Sequence, residues 1–166
     1  MKKILMILAV LLAVCLTVCA VSADDSWSFN FSSSDSSNSN GGAMSFENGK
    51  LKLQDVELTI PDGFEENQSA QKLAEDSPDI KDAKVSVCQF IKDGKEICVK
   101  VFFFDDNEFT NLKPVDNEVN KTISGINGVY DANKYNDNTP TFRFIKDGKL
   151  VEVNAPDDDT LASIIK

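Results

Sequence analysis

Two cysteines, Cys88 and Cys98, flank Asp93-Gly94 inside Lys84–Phe104, a stretch dense in β-branched and aromatic residues. Asp-Gly supplies the positive φ angles of a tight reversal, so the stretch reads as two antiparallel strands. Whether the two sulfurs can bond depends on the register. A three-residue loop pairs Ile91 with Lys95 and sets Cys88 opposite Cys98, while gathering Val85, Val87, Ile91, Ile97, Val99, Val101 and Phe103 on one face. A two-residue turn pairs Cys88 with Val99 instead and sends the sulfurs to opposite faces. The fuller apolar face favours the first register and a structural Cys88–Cys98 disulfide. By the chain-entropy argument so short a loop contributes roughly 3 kcal/mol. The alternatives are two buried, inert thiols or a redox pair, and the latter wants a Cys-x-x-Cys or electropositive setting that this spacing lacks.

The chain contains no histidine, which excludes Ser-His-Asp and Cys-His catalysis and histidine-containing zinc sites. Asp131-Ala-Asn133-Lys-Tyr135-Asn-Asp137 has the start of a calcium loop but lacks its fifth-position ligand, central Gly and terminal Glu. It reads as a solvated loop. Asp105-Asp106-Asn107-Glu108 reads likewise as a loop, and Asp157-Asp158-Asp159 as a helix start. No nucleophile–base pair and no Gly-rich phosphate loop is present, so neither an enzyme, a metal nor a cofactor is expected; paired carboxylates of a glycosidase are the residual catalytic route. Three sequons, at Asn30, Asn67 and Asn120, are candidate glycan acceptors if the chain is exported.

The first residues supply an address. Lys2 and Lys3 precede an apolar run from Ile4 to Val21, and Val21-Ser22-Ala23 offers small residues for a peptidase. Residues 1–23 are therefore expected to be a cleaved signal peptide, the competing reading being an uncleaved N-terminal anchor helix. Lipoprotein processing at Cys15 or Cys19 is disfavoured because Val precedes each. The formal net charge is −10, with 27 acidic against 17 basic residues, and cleavage makes it two units more negative. Such acidity argues against nucleic acid and anionic lipid as partners. Export also suits a disulfide.

Residues 24–42 are Ser/Asn/Gly-rich and read as a linker, although Trp27-Ser-Phe29-Asn-Phe31 alternates like a strand or a sticky tail. The folded domain is expected over 43–166. Its fold class is α+β, an antiparallel sheet of three hairpins with two short helices. The first hairpin turns at Asn48-Gly49, setting Glu47 against Lys50 and Phe46 against Leu51. The apolar phase then shifts at Gln54-Asp55, which predicts a bulge or turn before Val56. Glu65–Asp76 is helix-prone and stopped by Ser77-Pro78. The central cysteine-bearing hairpin follows, and Thr122–Tyr130 reads as a short strand pair or a bulged strand. The last hairpin turns at Asp147-Gly148 and sets Phe144 against Val151, Phe142 against Val153 and Arg143 against Glu152. A short helix over 156–166 must bury the stripe Leu161, Ile164, Ile165.

Thr59-Ile-Pro-Asp-Gly-Phe64, Ile123-Ser-Gly-Ile-Asn-Gly-Val-Tyr130, Phe144-Ile-Lys-Asp-Gly-Lys-Leu-Val-Glu-Val153 and Ala155-Pro-Asp-Asp-Asp-Thr-Leu-Ala-Ser-Ile-Ile165, after a signal peptide and spacer, resemble small exported proteins of methanogenic archaea. The order of elements also resembles, more weakly, the DUF4367 and LolA-like exported domains. That resemblance implies a curved antiparallel sheet carrying one or two helices and transfers no functional residue. The function expected is a non-catalytic binding or structural module, secreted or at the cell surface, meeting a protein, glycan or apolar partner there. The alternative is a carrier or sensor holding an apolar ligand in a concave sheet face. In Phe102-Phe103-Phe104 adjacent rings point to opposite faces, so Phe102 and Phe104 are the candidate apolar-ligand contacts.

Overall fold

The computed structural model describes residues 44–135 and 138–166. The signal peptide, the linker, the Trp27–Phe31 segment and Asn30 lie outside them. Two antiparallel sheets form the fold. The smaller contains β1 (Ser45–Glu47), β2 (Lys50–Leu53) and β3 (Val56–Thr59) in sequence order. The larger contains β4 (Glu65–Glu66), β5 (Lys72–Asp76), β6 (Lys84–Lys92), β7 (Lys95–Phe103), β8 (Val119–Ile123), β9 (Ile126–Asp131), β10 (Thr141–Lys146) and β11 (Lys149–Asn154). Its order is β4-β6-β7-β11-β10-β9-β8, with β5 pairing β6 beyond β4. One helix, α1 (Asp158–Ile164), closes the chain.

Five hairpins share one device. Asn48-Gly49, Gln54-Asp55, Asp93-Gly94, Ser124-Gly125 and Asp147-Gly148 each place two successive residues at positive φ, the backbone of a two-residue turn matched to strand twist. The first and last hairpins have the registers their side-chain pairs dictate: Glu47 faces Lys50, and Phe144 faces Val151. Gln54-Asp55 is a full turn that pairs Leu53 with Val56. Ser124-Gly125 resolves Thr122–Tyr130 into a strand pair.

The central hairpin departs from expectation. Its turn has two residues, so Lys92 faces Lys95, Cys88 faces Val99 and Gln89 faces Cys98. Residues opposite each other share a face, so the cysteines lie on opposite faces, and both are free thiols. The expected bond fails on this geometry. The reason lies beyond the hairpin: β7 is flanked by β11, whose Val151 and Val153 face Val101 and Val99. Only the two-residue turn adds Cys88 and the fully buried Phe90 to that same apolar face.

The second correction concerns Glu65–Asp76, which forms an interrupted edge strand with a single 3-10 turn at Gln68–Ala70 rather than the first of two helices. A helix there would bury only Ala70, Leu73 and Ala74, whereas the strand satisfies the open backbone edge of β6. Leu73, the largest residue of that presumed stripe, is 45% exposed.

One face of the large sheet carries the main core. Phe90, Ile97, Val99, Phe142, Phe144 and Val153 pack beneath Leu51, Leu53 and Val56 of the small sheet, Ile60 just after it, and Leu161, Ile164 and Ile165 of the C-terminal segment. Asp157 caps α1 by accepting a 2.8 Å bond from the Thr160 amide. Gly128 is required on this face: a Cβ there would lie 2.6 Å from the Phe142 ring, which stacks on Phe144 with centroids 5.6 Å apart.

A polar pin crosses this core. The buried Ser86 hydroxyl accepts from Gln54 Nε2 at 2.8 Å and from the Ala74 amide at 2.9 Å, tying the small sheet and the β5 edge to β6. Ser86→Ala leaves both donors unsatisfied and should cost roughly 1–3 kcal/mol in urea denaturation. Ser69→Ala, which loses one exposed bond to Asn67, should cost less than about 0.5 kcal/mol.

Candidate functional site

The other face of the large sheet is covered by connecting chain, residues 104–118, 132–135 and 138–140. Its chemistry begins with strand parity: Lys100 on β7 faces Glu152 on β11, which faces Arg143 on β10. The loops bring Glu118, Lys134 and Tyr135 onto this row. Lys100 Nζ lies 3.0 Å and Lys134 Nζ 2.9 Å from the Glu152 carboxylate. The Tyr135 hydroxyl donates to Glu152 at 2.5 Å and accepts from Lys100 at 2.8 Å. Lys134 also reaches Glu118 at 3.5 Å, and Arg143 pairs with Glu118. Both glutamate side chains are almost fully buried, and Arg143 Nε is buried without a partner.

This cluster clamps the covering loops and is not poised for proton transfer. Burial pushes the Glu152 carboxyl up, but Lys100, Tyr135 and Lys134 outweigh it and hold the group below the usual carboxylate range. For Lys100, burial acts downward and is outweighed by Glu152 and Tyr135, so its ammonium is held above the ordinary value. Burial, with the bond to Glu152, pushes Tyr135 up to about 12. Each shift leads away from neutral pH, the reverse of what general acid–base work needs.

The cysteines are likewise placed for inertness. Burial, then Glu66 and Cys98, pushes the Cys88 thiol up to about 12. Burial also raises Cys98, against the opposing pull of Lys100. A reactive or redox cysteine needs a depressed value. Cys88 Sγ instead sits 3.3 Å from Met44 Sδ in the core.

The remaining candidate residues separate as follows. Phe102 is buried with Val85 and Leu150 under Phe109 and Leu112, and Phe104 stacks on Phe109 at 4.7 Å; the rings pack against covering chain and line none of the principal concavities. Asn67 is half-buried, donating to Gln89 and accepting from Ser69 at 2.7 Å each. Asn120 is exposed on β8. In the segment that begins like a calcium loop, Asp131 and Asn133 accept from nearby backbone amides at 2.8 Å, and Asp137 lies outside the described residues. Among the described residues no three Cys, Asp or Glu side chains converge closely enough to hold a metal ion, and no helix is long and apolar enough to cross a membrane.

Sequence reasoning found the Arg143–Glu152 pair but missed Glu118, Lys100, Lys134 and Tyr135. Lys and Glu alternating with Val in β7 and β11 read as solvent-facing, and nothing local announces that a loop will cover them. Among the described residues, several open concavities have mixed polar and apolar linings. The one beside β8, about 470 Å³, is walled by Thr110, Asn111 and Leu112 of the covering loop and by Asn120, Thr122 and Asn127 of β8 and β9.

Glu118→Ala leaves Arg143 buried and uncompensated and should lower stability by roughly 3–5 kcal/mol. Because the folded Glu152 value is depressed, its contribution is fully present above the ordinary glutamate value of about 4.3 and is lost as pH falls through the lower folded value. The urea midpoint of wild type should therefore drop more between pH 6 and pH 3 than that of Glu152→Gln. For the thiols, iodoacetamide in denaturant without reductant should add two labels to a chain lacking residues 1–23, with Cys88 unlabelled in the native state. Compared with known proteins, the chain matches no family model, no curated protein and no solved structure.

Proposed function

We propose that the protein is an exported, non-catalytic binding or structural module acting at the cell surface. One observation carries this reading: among the described residues both faces of the large sheet are covered by the protein's own chain, and the concavities left open are wide and have mixed polar and apolar linings rather than enclosed apolar ones. A module of this kind acts through its outer surface. The inert thiols and the groups shifted away from neutral pH support a non-catalytic role. Export is proposed from the apolar run Ile4–Val21 and the small residues after it. The acidic surface favours polar or basic partners over nucleic acid.

A carrier of apolar ligands would need a lined cavity, and the Phe102 and Phe104 rings offered for it are packed under Phe109 and Leu112 or on Phe109. Organic extraction of the protein purified from its own membranes and medium should yield no stoichiometric lipid, and anilinonaphthalene sulfonate should stay dark at neutral pH. A bound lipid would overturn the reading in favour of the carrier. Protease treatment of intact cells should degrade the protein; full protection would overturn its surface location.

A further inference from the structure

Two of the three sequons fall within the described residues, and the fold treats them in opposite ways. The Asn67 carboxamide is half-buried and in use. Its Nδ2 donates to Gln89 Oε1 at 2.7 Å, its Oδ1 accepts from the Ser69 hydroxyl at 2.7 Å, and its backbone amide donates to the Gln89 carbonyl at 2.8 Å. A sugar on that nitrogen would displace a bond that ties this segment to β6. Asn120 is exposed on β8, and its carboxamide has no partner among the described residues. Thr122, the hydroxyl residue of its sequon, is exposed as well and bonds only Asn127, at 2.7 Å. Both line the open concavity of about 470 Å³, which leaves room for a sugar ring beside the strand.

The strand that carries Asn120 is also the barer edge of the large sheet. The β4/β5 edge is broken by a 3-10 turn and bulged between Lys72 and Glu75, devices that keep a sheet edge from pairing with another chain. β8 runs five residues without proline, bulge or carboxylate. Its one charged side chain, Lys121, is engaged on the core face, 3.6 Å from Asp158 and 3.6 Å over the Tyr130 ring. The two-residue turn at Ser124-Gly125 makes Ile123 and Ile126 a hydrogen-bonded pair, so the N–H and C=O of Asn120 and Thr122 point outward. No strand among the described residues pairs with them.

We propose that Asn120 is an N-glycosylation site and that its glycan guards the β8 edge. Asn120 Nδ2 attacks the anomeric carbon of a sugar carried on a polyprenyl phosphate or diphosphate. The C–N bond forms, the sugar–phosphate C–O bond breaks, the amide gives up one proton, and the lipid phosphate leaves. Thr122 supplies the hydroxyl that makes the asparagine an acceptor. A bulky, hydrated sugar fixed at this point keeps a second chain away from the outward donors and acceptors. The proposal rests on the export in the reading above, because the sugar is transferred outside the cytosol.

The test is glycopeptide mass spectrometry on the full protein purified from the medium and membranes of the cells that make it. The peptide carrying Asn120 should be heavier by one or more sugar residues, while the Asn67 peptide keeps its bare mass. Thr122→Ala should remove the added mass with Asn120 still in place, and Thr122→Ser should retain it; digested chain suffices, so neither variant needs to be stable. A bare Asn120 peptide overturns the proposal, and equal modification of Asn67 overturns the selection by the fold. In sedimentation, glycosylated wild type should remain monomeric at concentrations where Asn120→Gln associates reversibly. A variant that stays monomeric, or that only aggregates irreversibly, overturns the guarding role. An unmodified Asn120 on protein that protease reaches on intact cells leaves the surface reading standing, so the two fail separately.

Discussion

A two-residue turn at Asp93-Gly94 decides what every residue of the central strand pair meets. Because Lys92 closes against Lys95, even-numbered residues of β6 share a face with odd-numbered residues of β7. Phe90 then joins Ile97, Val99 and Val101, and β11 and β10 extend that surface through Val151, Val153, Phe142 and Phe144. Slipping the turn by one residue would carry Phe90 and Cys88 to the opposite face. The small sheet and α1 would lose much of the surface they close over. The same parity sends Lys100 to the second face, where it meets Glu152. Core, charge cluster and separated thiols are thus consequences of one turn.

The second face shows how irregular chain can seal a sheet. Residues 104–118 contain no strand or helix, and so long a segment needs fixed points. It has an apolar one where Phe109 stacks on Phe104 and donates its amide to Gly148 at 2.8 Å. It has a charged one where Glu118 meets Arg143 and Lys134. Replacing such a cluster by apolar residues of equal volume is often neutral or stabilising, whereas removing one member is costly. The cluster therefore specifies where the loops sit more than it adds stability.

On the module reading proposed above, sealing both faces leaves edges and loops as the surfaces for recognition. The backbone at a sheet edge is the one part of such a platform that still offers ordered, unpaired donors and acceptors. One edge is interrupted by a turn, a bulge and carboxylates; the other, at β8, is a regular five-residue strand whose one lysine pairs with Asp158.

The hairpins at Asn48-Gly49 and Asp147-Gly148 were legible in the sequence, because the turn residues demand positive φ and the cross-strand pairs agree with it locally. The C-terminal helix was legible for the same reason, its Asp157 cap and its Leu161, Ile164, Ile165 stripe lying within a few residues of each other. The absence of histidine-based chemistry is set by composition alone. The Asp93-Gly94 register, the edge strand at Glu65–Asp76 and the burial of Glu118 and Glu152 were decided only by tertiary structure. Each depends on a neighbour remote in the chain: Val151 and Val153 for the register, the open edge of β6 for the strand, residues 104–118 for the glutamates. A single hairpin can satisfy either parity, and a weakly amphipathic stretch can satisfy its backbone as helix or strand. The apolar surface and the hydrogen-bond partners supplied by distant segments break that tie.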